Sequence, residues 1–311
     1  MTNLENTNSS SAFQLGPLQL KELFDILWKG KISIIISACV FFAVAAIYAL
    51  NQPDQFKSSA SMSVVMMGSA SNTVKTTVSF AGLSLETKGV KGPRYINTLR
   101  SRGFFRHLID IDEDFLPALV LPVLGLAEYD KKSEKLIYDP DVYDVVNKKW
   151  LIEKPHYLDS YDIYMGGMFS GYHQERGIID VSFTHISPVA AKEMVESIIF
   201  EADQMLRTLD LKESADSLAY LINAIPNTQQ LAIRGVMNDM IMNQLETQMM
   251  ASIGPTYIIQ VVDPPFVPIY SFAPNRRFIA LSAGLAGLAF GIVFVLLRHL
   301  RKQAIEQASR S

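Results

Sequence analysis

Charged residues are missing from two long stretches of the chain, one near each end. Ile32–Leu50 (ISIIISACVFFAVAAIYAL) and Phe278–Leu297 are apolar around the whole helical circumference. About twenty residues at a rise of about 1.5 Å span about 30 Å, the hydrocarbon thickness of a bilayer, so both are read as transmembrane helices. The first has an apolar stretch too long for a signal peptide, and about thirty residues precede it, so it reads as an uncleaved anchor. Between them the pattern is that of a folded domain. Strands are predicted at 56–67 (FKSSASMSVVMM), 175–185 (ERGIIDVSFTH) and 256–264 (TYIIQVVDP), where apolar residues cluster or alternate. Residues 92–109 read as a basic helix, and 115–127 as an apolar segment broken by Pro117 and Pro122.

From Pro188 the period lengthens. Ser187 is placed to cap a helix that opens on Pro188. Val195, Ile198, Ala202, Met205 and Leu209 then recur at alternating spacings of three and four, a coiled-coil-like seam expected to be covered by a second copy of the chain. Pro226 ends this helix near Ile225, and a second helix is predicted from about Gln229 to Ser252, with Met237, Ile241, Leu245 and Met249 on one stripe. The expected fold is therefore α+β: two membrane helices flanking a mixed α/β base domain with a helical arm over about 188–252. Residues 18–31 read as a short amphipathic helix ahead of the first span.

Flanking charge orients this plan. Lys21, Lys29 and Lys31 precede the first span, and Arg298, Arg301 and Lys302 follow the second. Basic flanks stay in the cytoplasm. Residues 1–31 and 298–311 are then cytoplasmic and 51–277 lies outside the inner membrane, in the periplasm of a bacterium. Setting aside the seven basic and four acidic residues elsewhere, that middle segment has 21 Lys+Arg and 27 Asp+Glu, a net of −6. Such a domain does not seek nucleic acid. Cys39, the single cysteine, falls in the first span, so no disulfide supports the outer domain.

Candidate chemistry is sparse. WKGKIS lacks the upstream glycine of a phosphate loop, and five histidines show no paired metal-ligand spacing. DIDEDF (Asp110–Phe115) opens like a calcium loop but has Phe115 at its sixth position and Leu121 where the bidentate glutamate belongs. No catalytic set, metal or cofactor is expected. Seven of the twelve tyrosines (Tyr129, Tyr138, Tyr143, Tyr157, Tyr161, Tyr164, Tyr172) and Trp150 fall between 129 and 172, either as a face for sugar rings or as core.

Pro264, Pro265, Pro268 and Pro274 crowd ahead of the second span, and a run of prolines cannot form helix or central strand. Residues 264–274 are expected to be a stiff, extended connector that fixes the height and angle of the domain over the membrane. Beyond it, Ala280/Gly284 and Gly287/Gly291 are small-xxx-small pairs that permit close helix approach in lipid.

Taken in order, LKELFDILWKGK (20–31), YINTLRSRGFF (95–105), GIIDVSFTHISPVAAKEM (177–194) and VVDPPFVPIYSFAPNRRF (261–278) resemble the Wzz-type chain-length determinants, the polysaccharide co-polymerases of bacterial inner membranes. The resemblance implies a non-enzymatic, homo-oligomeric regulator of O-antigen or related glycan length. Its partners would be a membrane polysaccharide polymerase, the nascent lipid-linked glycan and the bilayer. An alternative within the same plan is a capsule or exopolysaccharide export co-polymerase working with a separate tyrosine kinase, since residues 298–311 contain no phosphate loop and no tyrosine.

Overall fold

A computed structural model describes residues 27–65, 77–80, 83–86 and 91–308. The chain divides into two compact units, residues 54–273 and a second made of 1–53 with 274–311.

The first unit is built on an antiparallel sheet of four strands. β1 (Phe56–Val64) pairs with β9 (Ile178–His185) on one side and with β10 (Ile259–Asp263) on the other, and β8 (Met168–His173) closes the far edge. Register follows the alternation. Ala60 lies opposite Val181 and Met62 opposite Ile179, all buried on one face, while Lys57, Ser59, Ser61 and Ser63 point to the half-exposed face. Among the described residues, three small hairpins lie outside this sheet: β2 (Thr77–Phe80) with β3 (Leu83–Glu86), β4 (Ala127–Asp130) with β5 (Lys135–Tyr138), and β6 (Tyr143–Asp144) with β7 (Lys149–Trp150). The apolar face of the sheet is covered by helices.

The predicted basic helix is two helices. α2 (Lys91–Leu99) stops where Ser101 takes an extended conformation and caps α3 (Arg102–Ile111), its Oγ accepting from Phe104 N. Tyr95, Leu99, Phe104, Phe105 and Leu108 are fully buried, and α4 (Phe115–Val120) and α5 (Tyr157–Gly167) add Leu116 and Tyr164 to the same core. β8 lacks a strand pattern in the sequence, because its inward position Ser170 is polar and Gly171 breaks the alternation.

α6 (Pro188–Ala224) packs across β1 and β9. Ser187 Oγ accepts from Ala190 N at 3.2 Å, and Pro188 opens the helix without needing a donor. Thirty-seven residues reach about 55 Å. After Pro226 the chain turns into α7 (Leu231–Ser252), which packs back along α6 but buries Ala251 alone. Met66 and Met67 of the first predicted strand, and residues 18–26 of the amphipathic segment, lie outside the described residues.

In the second unit α1 (Lys31–Asn51) packs against α8 (Arg276–Ala308), and both are long and apolar enough to cross a membrane. Contacts of Ile34 with Gly291, Ser37 with Gly287 and Phe42 with Gly284 make the pair antiparallel. Asn275 Oδ1 accepts from Phe278 N at the start of α8.

Candidate functional site: the root of the helical arm

The seam predicted for self-association is used inside the subunit. Val195, Ile198 and Ala202 are fully buried in the core against the sheet, Met205 is half-buried at its margin, and only Leu209 is exposed. A spacing of three and four states that a stripe needs cover; for Val195, Ile198 and Ala202 that cover is the chain's own sheet. Past Ala202 the inward stripe moves to Asp203, Leu206, Asp210 and Ser214. Three of these four are polar, so the stripe carries no apolar periodicity.

Those polar residues form the root of the arm. Asp203, 2% exposed, accepts from Tyr257 N and from Ile258 N, each at 2.7 Å. Its carboxylate thus takes two backbone donors that lie just before β10 and have no ladder partner of their own. Two turns along the same face, Asp210 accepts from the Tyr257 hydroxyl at 2.7 Å and pairs with Arg94 of α2 at 2.6 Å. Hydrogen bonds to a charged group contribute about 1.5–3 kcal/mol each, and removing the acceptor would strand buried donors. Burial, then the Asp210 carboxylate, push the Tyr257 phenol well above its ordinary range. Between the two aspartates, Arg207 donates from Nη2 to Gly254 O at 3.0 Å, while its buried Nε has no acceptor. One helix, one strand entry and α2 are therefore locked together at two points of α6, Asp203 and Asp210.

The proline segment is not a free-standing rod. Pro264 is exposed, Pro265 half-buried and Pro268 buried, and the segment runs on beside β1 as an irregular edge. Ser58 Oγ donates to Phe266 O at 2.8 Å, and Gln55 O accepts from Phe272 N at 2.7 Å. Missing N–H donors keep this edge from becoming a regular strand, so side-chain and terminal bonds hold it instead. Pro274, in the second unit, accepts from Arg276 N at 2.9 Å.

Among the small residues of α8, Gly287 and Gly291 lie closest to α1. A Cβ on Gly287 would lie 2.8 Å from Phe41 Cβ and 2.9 Å from Ala38 Cα; one on Gly291 would lie 2.9 Å from Ile34 Cα. Ser37 Oγ donates to Gly287 O at 2.9 Å across the pair. Gly284 has looser contact with Phe42, and Ala280 is buried. Arg276 donates from Nε to Ala49 O at 3.1 Å and from Nη2 to Gln52 O, satisfying carbonyls at the end of α1.

The tyrosine-rich region divides between core and margin. Tyr164 is buried and donates to Leu99 O at 3.0 Å; Tyr161 donates to Arg100 O at 2.5 Å. Tyr138, Tyr143 and Trp150 pack on one another beside Leu121, and burial pushes the Tyr138 phenol up to about 12. Tyr157 and Tyr172 pack against the main core, and Tyr129 meets Phe56 edge-on. These rings are committed to packing and do not form one open platform. On the half-exposed face of the sheet, Ser61 Oγ donates to Asp180 at 2.6 Å and His173 bonds the other oxygen of that carboxylate. The carboxylate sits between hydroxyl and imidazole, so the imidazole does not reach the serine proton, and the order is wrong for an activated nucleophile. Among the described residues no group of three or more His, Cys, Asp or Glu is placed to hold a metal ion.

The first third of the chain carries a recognisable family signature. Residues 17–110 match the Wzz family, described as "Chain length determinant protein". The matched segment takes in α1, β1, α2 and most of α3, and so includes Ser37 and Arg94. Of the four resembling stretches, 20–31 and 95–105 fall within it, and those at 177–194 and 261–278 lie beyond. No curated protein matches the chain. A solved structure titled "full-length bacterial polysaccharide co-polymerase" is similar at 14% identity, covering 92% of this chain and 99% of that one, with a TM-score of 0.38.

Proposed function

We propose that this chain is a non-enzymatic, membrane-anchored regulator that sets the modal length of O-antigen or a related surface polysaccharide, acting with a separate polymerase. The observation that carries it is the Wzz match over residues 17–110, which spans the first apolar helix and, of the helices that fill the core of the 54–273 unit, α2 and most of α3. Two helices long enough to cross a bilayer, one near each end, support a two-pass anchor. In this reading both termini are cytoplasmic, 51–277 is periplasmic, and several copies assemble around the nascent lipid-linked glycan.

Deleting the gene and resolving lipopolysaccharide by electrophoresis tests it directly. The expected result is loss of the modal cluster of bands. An altered capsule with an unchanged lipopolysaccharide ladder transfers the role to capsule or exopolysaccharide export beside a separate tyrosine kinase. If neither polymer changes, the proposal fails. Alkaline phosphatase fusions test topology, with activity expected in the 54–273 unit and none at either terminus.

A further inference from the structure

Asp203 and Asp210 occupy the inward face of α6 where it passes from the sheet-backed core into the arm. Up to Leu206 the helix is backed by β1, β9 and the helices beneath them. Past Asp210 only Ser214, Leu218 and Leu221 are buried, and α7 contributes Ala251 alone. Thin packing of this kind does not select one direction for a two-helix hairpin; discrete hydrogen bonds do. Asp203 ties the helix to the backbone ahead of β10, and Asp210 ties it to α2 through Arg94 and to the same strand entry through the Tyr257 hydroxyl. Two points separated by two turns define a direction, whereas one would define only a pivot. The remaining 14 residues of α6, to Ala224, extend about 21 Å, so a 10° change at the root moves the tip by about 4 Å.

We propose that Asp203 and Asp210, with Arg94 and Tyr257, are positioning residues that set the angle at which the arm leaves the domain, and that this angle governs glycan length. The second half rests on the function proposed above. The geometry assigns the adjustable role to Asp210. Asp203 is wholly buried and holds two main-chain donors, so its loss threatens folding. Asp210 is buried but its partner Arg94 is 46% exposed in its side chain, so removing the Asp210 charge leaves a guanidinium that water can reach.

The test uses the full-length chain in its own membrane, with Asp210→Asn and Tyr257→Phe as variants. Spin labels at Asn227→Cys and Glu128→Cys, in a Cys39→Ser background, report the distance from the arm's tip to the domain. The expected result is a displaced or broadened tip distance, by about 4 Å for each 10°. A shifted or smeared modal band should accompany it, while expression, insertion and melting temperature stay near those of the parent. The exchange Arg94→Asp with Asp210→Arg restores the pair and should narrow both distributions again. If deletion abolishes the mode but Asp210→Asn and Tyr257→Phe keep both the parent mode and the parent tip distance, the clamp is overturned. A tip that moves without the band overturns the link from angle to length. A ladder indifferent to deletion overturns instead the function on which that link rests.

Discussion

The root of α6 and the whole of α7 have similar amphipathic composition and opposite fates. Between Ala190 and Leu206, α6 buries nine residues, against β1, β9 and the helices beneath. α7, with Leu231, Ile233, Val236, Met237, Met240, Ile241, Met242, Leu245 and Met249 among its 22 residues, buries only Ala251. Met242 is 66% exposed and Leu231 84%. An apolar stripe therefore says that a surface gains by being covered, and leaves open what covers it. In α6 the cover is a sheet in which β9, next to it in the chain, is joined by β1 from more than a hundred positions away. Most of α7 has only α6 beside it, which is too narrow, and only its end at Met250 and Ala251 reaches the core.

That contrast has measurable consequences. Phe104→Ala, emptying a site with no exposure beneath α6, is expected to cost about 3–5 kcal/mol in denaturant unfolding of the detergent-dispersed chain. A cost under about 1 kcal/mol would show that this core is not close-packed. Gly287→Leu forces a side chain into Phe41 and Ala38 and is expected to lose about 1–3 kcal/mol between α1 and α8, read as a lowered melting temperature in detergent. Leu285→Ala, on the exposed side of α8, is the control.

A gentler effect is tied to pH. His185 is buried; its Nε2–H donates to Ala118 O at 2.8 Å and its Nδ1 accepts from Ser187 N at 3.0 Å, which defines a neutral ring. Burial holds its pKa below the ordinary value of 6.5. The unfolded chain therefore binds this proton first. The contribution of His185 to stability is complete above the unfolded pKa and is lost as pH falls through the folded one. Denaturant midpoints measured from pH 8 to pH 5 are expected to fall more steeply for the parent than for His185→Gln, and equal slopes would exclude it. The smallest effect is expected in α7. Met242→Ala in separated subunits should change stability by less than about 0.5 kcal/mol. A substantially larger loss in the assembled particle would show that a partner covers this helix.

How far the elements could be read in advance depended on how local their causes are. Ser187, Pro188 and Pro226 act on their own backbones, and α6 begins and ends within a residue of where they place its limits. The α7 stripe winds around its helix for a geometric reason. Met237, Ile241, Leu245 and Met249 step by four, and each step advances about 40°, so by Met249 the stripe has turned about 120° from its start. Leu245 and Met249 are accordingly exposed, while Ala251, two turns from Gln244, is covered. The split between α2 and α3 at Ser101 rests on one capping residue inside a pattern that is helical on both sides of it.

Length, charge-free runs and the positions of proline and capping serine were enough to establish two apolar helices, a strand-bearing domain and an interrupted helical arm, because each acts through neighbours along the chain. What the residues alone did not disclose is pairing across distance: that Asp203 and Asp210 face Tyr257 and Arg94, that the Val195–Ala202 seam meets the chain's own strands, and that Pro268 packs inward. Carboxylates look alike in a sequence wherever they occur. Only the folded backbone brings two of them onto unpaired donors, and burial then turns an ordinary charge into an anchor point.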